Sequence, residues 1–520
     1  MADRKPEPDT PADAAAVTPR ESLRAATVAG LRWVSIARTI VELMLMGSLV
    51  VLARLIPPAA FGPYAVAVIV QALALGIQEQ GVGSALVQRR SVTRAHLQVG
   101  QTLALLSGLV LAALCFVSAP VVVEPIFGAP TASLVALSAP LFVVYALGIV
   151  PSATLRRSLS FKRLSIIDVL NSFTRVSISI ALAVAGMGAK SMVIGALVAG
   201  LFASMAAWAC APPPLPVVHR RELRDLLGYG LAASLASISW VCFANCDYVI
   251  IGARIGTLQA GLYFRAYNLA VEYQKKISSV MVTVAFPVLA RTANSAELNE
   301  LRRRMVRLLT LILFPLLTML AIVAPVLIPW LLGSDWDPAV VPTQILALGG
   351  AVTLVMDTTG VVLMASGRPR AMLGFGVGHF VTYATAVWFV APRGIAAVAI
   401  VAAVVHTVFL FVSYATMLHR SSERVLPRLW ADVAPAGVSS VILAAVAVPA
   451  MLGLSATHVP PLPKLLLIGL TGGLVYLCAV RVAFAGAWNE LRSGLALALP
   501  MDRLRRLWRR PELAAARSVG

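Results

Sequence analysis

Apolar runs long enough to cross a bilayer follow one another from Trp33 to Val480, and Lys and Arg crowd into every second gap between them. A membrane-spanning helix takes about 20 apolar residues, and the chain offers about fourteen such runs. Of its 43 Lys and Arg, 33 fall on one set of gaps and the termini, 5 on the alternate gaps and 5 within the runs. Loops on the cytoplasmic side carry the excess of Lys and Arg, so the alternation threads an all-α, polytopic membrane protein with both termini in the cytoplasm. Gaps on the opposite side are short, with no room for an outer domain.

Composition agrees with this. Charged residues make up 13% of the chain, against about 25% in soluble domains, and mean hydropathy is +0.86. The net charge of +20 does not point to nucleic acid, because the Arg clusters adjoin hydrophobic ends, where the positive-inside rule and anionic headgroups account for them. Cys115, Cys210, Cys242, Cys246 and Cys478 lie in or beside apolar runs without a CxxC pair or a neighbouring His, and read as small core residues rather than metal ligands. The first residues, with Pro6, Pro8 and Pro11, lack the apolar stretch of a signal peptide.

The runs divide six, six and two. Residues 1–30 read as a disordered cytosolic tail, 31–215 as an N-terminal six-helix bundle, 216–420 as a second six-helix bundle, 421–490 as two additional transmembrane helices and 491–520 as a basic cytosolic tail. The halves echo each other. "ARLIPPAAFGPY" (Ala53 to Tyr64) aligns with "ARIGTLQAGLY" (Ala253 to Tyr263), pairing Arg54, Gly62 and Tyr64 with Arg254, Gly261 and Tyr263. Both lie between the first and second spans of a set, as in a parallel repeat about an axis along the membrane normal.

Eleven ionisable side chains fall inside the runs: Arg38, Glu42, Glu79, Asp168, Arg175, Asp247, Arg265, Glu272, Lys275, Lys276 and Asp357. At about 3 kcal/mol each for exposure to lipid they would cost roughly 30 kcal/mol, more than a protein's net stability, so they must face water, one another or a ligand. At about 100° per residue, Arg265, Asn268, Glu272, Lys276, Ser279 and Thr283 share one face of the eighth span. Asp168, Ser172, Arg175 and Ser179 share a face of the fifth, and Arg38 and Glu42 are one turn apart on the first. A central water-filled cavity between the two bundles uses all three wet walls. Arg38 with Glu42 can also be read as an intrahelical pair near the interface, and Asp247 as a partner of headgroups or Arg254. His379 and His406, single in apolar runs, read as core residues. Gly374 and Gly378 form a GxxxG spacing suited to close helix packing. In "SDWDP" (Ser334 to Pro338), Trp336 reads as an interfacial residue and Asp337 as a helix N-cap.

"VLARLIPPAAFGPYAVAVIVQALALGIQEQGVGSALVQRR" (Val51 to Arg90) resembles the N-terminal signature of bacterial polysaccharide and oligosaccharide flippases. These belong to the multidrug/oligosaccharidyl-lipid/polysaccharide exporter superfamily. The likeness continues in "CDYVIIGARIGTLQAGLYFRAYNLA" (Cys246 to Ala270), "FPVLAR" (Phe286 to Arg291) and "LLGSDWDPAVVP" (Leu331 to Pro342). The resemblance implies two six-helix bundles around a central cavity with two C-terminal helices added, in a bacterial inner membrane, moving lipid-linked sugars from the inner to the outer leaflet. Glu79 stands where the family commonly has an Asp in an "SDLG"-like segment, and Asp247 and Arg265 fall on its "D...IG" and "Y..AY" positions.

The combined expectation is a flippase for a polyprenyl-diphosphate-linked oligosaccharide that works by alternating access. Arg38, Arg175, Arg265 and Lys276 would bind the diphosphate or acidic sugars. Glu42, Glu79, Asp168, Asp247 and Glu272 would serve as ion-coupling or cavity acids. No catalytic residue, metal or cofactor is expected. Expected partners are the lipid-linked oligosaccharide and membrane lipid, with a polysaccharide polymerase and glycosyltransferases as further candidates, and no nucleic acid. Rival classes are a cation-coupled drug exporter of the same fold, a membrane scaffold for polysaccharide synthesis enzymes, and a glycan polymerase or ligase, which would need a larger outer loop. No GxxxxGK[ST] loop for ATP is present.

Overall fold

In the computed structural model, residues 19–498 are described, apart from residues 90, 273, 277, 279–294, 366–368, 419–424 and 456. The described chain is helical throughout, with no strand among the described residues. The helices are α1 (Pro19–Leu55), α2 (Pro58–Gln78), α3 (Arg94–Ser118), α4 (Ala129–Arg157), α5 (Phe161–Val184), α6 (Lys190–Cys210), α7 (Arg220–Ile255) and α8 (Thr257–Tyr267). They continue as α9 (Ser295–Leu332), α10 (Val340–Ala365), α11 (Pro369–Val390), α12 (Ile395–Leu418), α13 (Val425–Ser455), α14 (Pro461–Ala483) and α15 (Ala485–Ala498).

Thirteen stretches among the described residues are long and apolar enough to cross a membrane. The eighth expected span is represented by α8, the turn after it and residues 274–276 and 278, while 273, 277 and 279–289 lie outside the described residues. Outward-facing side chains are what lipid requires: Leu470, Phe389 and Val441 are about two-thirds exposed or more. The fold is therefore a polytopic helical membrane protein.

Local chemistry sets the boundaries. Pro57 and Pro58 end α1 and open α2, since a residue before proline avoids the helical region while proline suits the first helical position. Thr93 caps α3, accepting the His96 backbone N–H at 3.4 Å. Gly256 (φ +95°) and Gly333 (φ +106°) turn the chain after α7 and α9 through backbone angles that side chains disfavour. The first helix begins at Pro19, so helix extends into the segment expected as a tail, while residues 1–18 and 499–520 lie outside the described residues.

Among the described residues three π-helical turns interrupt the spans, at Glu79–Gly83, Ala119–Val123 and Asn268–Glu272. A π turn inserts one residue and so rotates everything beyond it by about 100° relative to an unbroken helix. Helix resumes after the first two turns, at Ser84–Gln88 and Glu124–Phe127.

The contacts form two compact units. The first holds residues 1–49, 71–117 and 136–239, with a core of Val82, Leu86, Val99, Ala146, Val150 and Leu226. The second holds residues 50–70, 118–135 and 240–520. The ends of α1 and α2 around their connecting turn thus pack with the second unit, and the first half of α7 with the first.

Within the second unit α13, α14 and α15 are built onto α9. Leu311, Leu443, Ile468, Tyr476, Val480 and Leu491 share one apolar cluster, and Tyr476 Oη donates to the Leu311 carbonyl at 2.8 Å. Arg302 and Asp432, both fully buried, form an ion pair. Tyr414 Oη donates to Asp432 at 3.1 Å, and Arg307 donates to Glu490 at 2.6 Å. The GxxxG spacing does not draw backbones together, since a Cβ on Gly374 would meet nothing within 4 Å. Trp336 is buried rather than interfacial, at 1% exposure, and its indole N–H donates to the Ala53 carbonyl at 3.0 Å.

Candidate functional site

In the first unit the π turn after α2 sets the position of Glu79, whose carboxylate accepts a hydrogen bond from Arg156 in the last turn of α4. Asp168 on α5 is exposed and feels the charge of the same guanidinium. Arg175 is half-buried seven residues further along α5. Arg38, exposed, and Glu42, half-buried, occupy successive turns of α1. The first unit thus holds five of the nine expected site residues, and the contact between Glu79 and Arg156 adds a cation that charge pattern alone assigns to a cytoplasmic loop.

In the second unit Asp247 on α7 is 2% exposed. Its carboxylate accepts the Tyr248 backbone N–H at 2.9 Å and the Tyr383 hydroxyl, from α11, at 3.0 Å. Neither headgroups nor Arg254 is its partner: Arg254 lies over the Trp388 ring, 4.7 Å from the centroid. Around the carboxylate, the Tyr248 ring packs edge-on against Tyr263, Phe264 and Tyr267 at 5.4–5.8 Å. His379 stacks on Tyr383 and approaches His406 to 5.0 Å between ring centroids. A buried carboxylate at membrane depth is costly unless hydrogen-bonded, which these donors accomplish.

The π turn at Asn268–Glu272 breaks the stripe expected along the eighth span. Arg265, before the turn, is 5% exposed, with its guanidinium carbon 4.4 Å from the Phe61 ring centroid and 5.3 Å from that of Trp336. After the turn Lys275 hydrogen-bonds the Tyr267 hydroxyl, lies 4.9 Å over that ring and comes within 4.0 Å of Glu272. Lys276 is half-buried, and Ser279 and Thr283 lie outside the described residues. Asp357 on α10 is exposed and acts electrostatically on Lys275. No group of three or more His, Cys, Asp or Glu able to hold a metal occurs among the described residues.

Of Arg156, Lys275 and Tyr383, sequence reasoning left the first and third out of these networks and named the second among the eleven ionisable side chains of the spans but off the stripe. The first sits at a helix end rich in Arg. The second is displaced by a π turn that residue spacing does not reveal. The third is a Tyr in an apolar run.

The model of a family described as polysaccharide biosynthesis protein matches residues 51–341. Teichuronic acid biosynthesis protein TuaB of Bacillus subtilis (strain 168) is 27% identical over 325 residues, 61% of this chain and 67% of that protein. Lipopolysaccharide biosynthesis protein WzxC of Escherichia coli (strain K12) is 26% identical over 373 residues, 68% of this chain and 73% of that protein. Among solved structures, the lipid II flippase MurJ in an inward closed conformation superposes with a TM-score of 0.72 at 14% identity, covering 87% of this chain and 98% of MurJ. An inward-facing multidrug resistance MATE family transporter superposes with a TM-score of 0.56 at 14% identity, covering 77% of this chain and 99% of that one. The fold is thus shared with membrane transporters, and the chain belongs to the polysaccharide biosynthesis protein family of multi-pass bacterial membrane proteins.

Proposed function

We propose that this protein is a flippase that moves a polyprenyl-diphosphate-linked oligosaccharide from the inner to the outer leaflet for surface polysaccharide synthesis, by alternating access. The observation that carries the reading is the pairing of family and fold: a polysaccharide biosynthesis chain folded like a structure named as a lipid II flippase. It acts as a transporter rather than an enzyme, with both termini cytoplasmic, as the basic gaps require.

Arg38, Arg175 and Lys276 are the cations proposed to meet the diphosphate or acidic sugars. Arg156, held by Glu79 and facing Asp168, joins them at the cytoplasmic end of α4. Arg265, buried against the Phe61 and Trp336 rings, instead positions the chain around it. Asp247 is the proposed coupling acid, because its deep burial and its tie to Tyr383 make its charge state matter to packing. Glu272, with Lys275, and Glu42 balance the charge of the walls.

The test is deletion of the gene, with surface polysaccharide and lipid-linked oligosaccharide quantified and the leaflet of the latter read by an impermeant reagent. Loss of polymer with precursor trapped on the cytoplasmic side is the expected result. Normal polymer with altered sensitivity to cationic drugs would move the assignment to a drug exporter of the same fold.

A further inference from the structure

We infer that two glycine contacts, at Gly62 with Gly261 and at Gly81 with Gly230, are the seals that the transport cycle opens in turn. The inference rests on the alternating-access reading.

The first contact lies in the second unit, at the end proposed to face outside. A Cβ on Gly62 would lie 1.7 Å from the Thr257 carbonyl oxygen. One on Gly261 would lie 2.5 Å from the Gly62 nitrogen and 3.0 Å from the Pro58 oxygen. No side chain can occupy either position while α2 and α8 remain together. Around this backbone contact, Arg54 donates to the carbonyls of Trp330 at 2.5 Å and Leu331 at 3.0 Å, and Trp336 donates to that of Ala53. Gly62 and Gly261 are equivalent positions of the internal repeat, so the repeat meets itself here.

The second contact lies in the first unit, nineteen residues further along the sequence of the second span. A Cβ on Gly230 would lie 2.1 Å from the Gly81 oxygen, and one on Gly81 would lie 2.6 Å from Ser234 Oγ, which donates to the Ile77 carbonyl at 3.0 Å. Beside it Arg89 pairs with Asp225 at 2.7 Å, both about one-third exposed.

Both contacts join a residue of the first expected six-helix set to one of the second, and both bring backbone against backbone. Interleaved side chains must leave rotamer wells to part, whereas glycine faces separate and close again without that cost. The surroundings differ. The outer contact is dry, flanked by Phe61, Trp336 and the buried Arg265. The inner one is flanked by an exposed ion pair, which a diphosphate entering from the cytoplasmic leaflet can compete for.

The experiment introduces alanine at each seal and measures the two ends separately by pulsed electron resonance between spin labels, in protein whose five cysteines are replaced. Labels go on Leu55→Cys with Asp335→Cys for the outer end and on Ser91→Cys with Arg221→Cys for the inner end. Gly62→Ala is expected to shift the outer pair to longer distances and leave the inner pair unchanged. Gly230→Ala is expected to do the reverse, and each to lower translocation at least tenfold. Gly228→Ala, where a Cβ meets nothing within 4 Å, is the control expected to change neither distance. Should the glycine variants fail to fold, Arg54→Ala and Arg89→Ala are expected to give weaker shifts in the same two directions. Unmoved distances in folded variants, or opening of both ends by either variant, would overturn the seals. Variant distances that respond as expected, together with a wild-type protein that moves no lipid-linked oligosaccharide, would leave the seals standing and remove the flippase reading.

Discussion

Arg265 lies over the Phe61 ring, its guanidinium carbon 4.4 Å from the centroid, and 5.3 Å from the centroid of Trp336, whose ring meets Phe61 edge-on at 5.2 Å. Cation and ring come from segments about two hundred residues apart in sequence, and both are at most 5% exposed. A desolvated cation over an aromatic face contributes about 2 kcal/mol. Arg265→Lys is expected to keep part of this and Arg265→Ala to lose it, lowering the detergent-solubilised melting temperature in that order. Equal melting temperatures for all three proteins would show that the rings do not hold the guanidinium.

The Arg302 and Asp432 pair gives an asymmetric expectation. Asp432 pairs with Arg302 and also lies 3.5 Å from Arg303 and 3.9 Å from Arg428. Breaking a buried pair by removing one partner costs about 3–5 kcal/mol. Asp432→Ala leaves three guanidinium groups without that carboxylate, whereas Arg302→Met leaves the carboxylate two others. The expected order of folded yield, read by fluorescence-detected size exclusion, is wild type, then Arg302→Met, then Asp432→Ala. A reversed order would mean that the cluster is not organised around Asp432.

Asp247 and Tyr383 should separate coupling from folding. Asp247→Asn retains a group able to accept from Tyr383 and is expected to yield folded protein with translocation reduced at least tenfold. Tyr383→Phe, which removes one hydrogen bond worth about 1.5–3 kcal/mol when a charged group is involved, is expected to weaken both stability and rate modestly. Full translocation by Asp247→Asn would make the carboxylate a structural element.

Glu79 and Arg156 are each more than one-third exposed, so their pair should contribute at most about 1 kcal/mol to stability. Glu79→Gln is therefore expected to melt within a degree or two of wild type while changing the concentration dependence of translocation, since it leaves Arg156 less neutralised. A large loss of thermal stability instead would place Glu79 in the fold's core support.

Sequence pattern alone carried the membrane-spanning architecture, because apolar length and the bias of Lys and Arg are properties of each segment by itself. It also singled out Asp247 and Glu79, and each sits in a network once the chain is folded. What pattern could not carry is register. The stripe from Arg265 to Thr283 assumes an unbroken helix, and the π turn at Asn268–Glu272 rotates Lys275 onto Tyr267 and leaves Arg265 buried against the Phe61 and Trp336 rings. Nor could it show that Gly62 and Gly261, visible as matching positions of a repeat, touch each other, since contact between segments two hundred residues apart is a tertiary property.

The most direct measurement of the central claim uses purified protein in proteoliposomes containing a fluorescent polyprenyl-diphosphate-linked oligosaccharide, with an impermeant quencher reading the outer leaflet over time. The expected result is protein-dependent movement of label between leaflets, reduced at least tenfold by Asp247→Asn. Label that stays in its leaflet at the rate of protein-free vesicles, with the protein folded and oriented, would contradict the account.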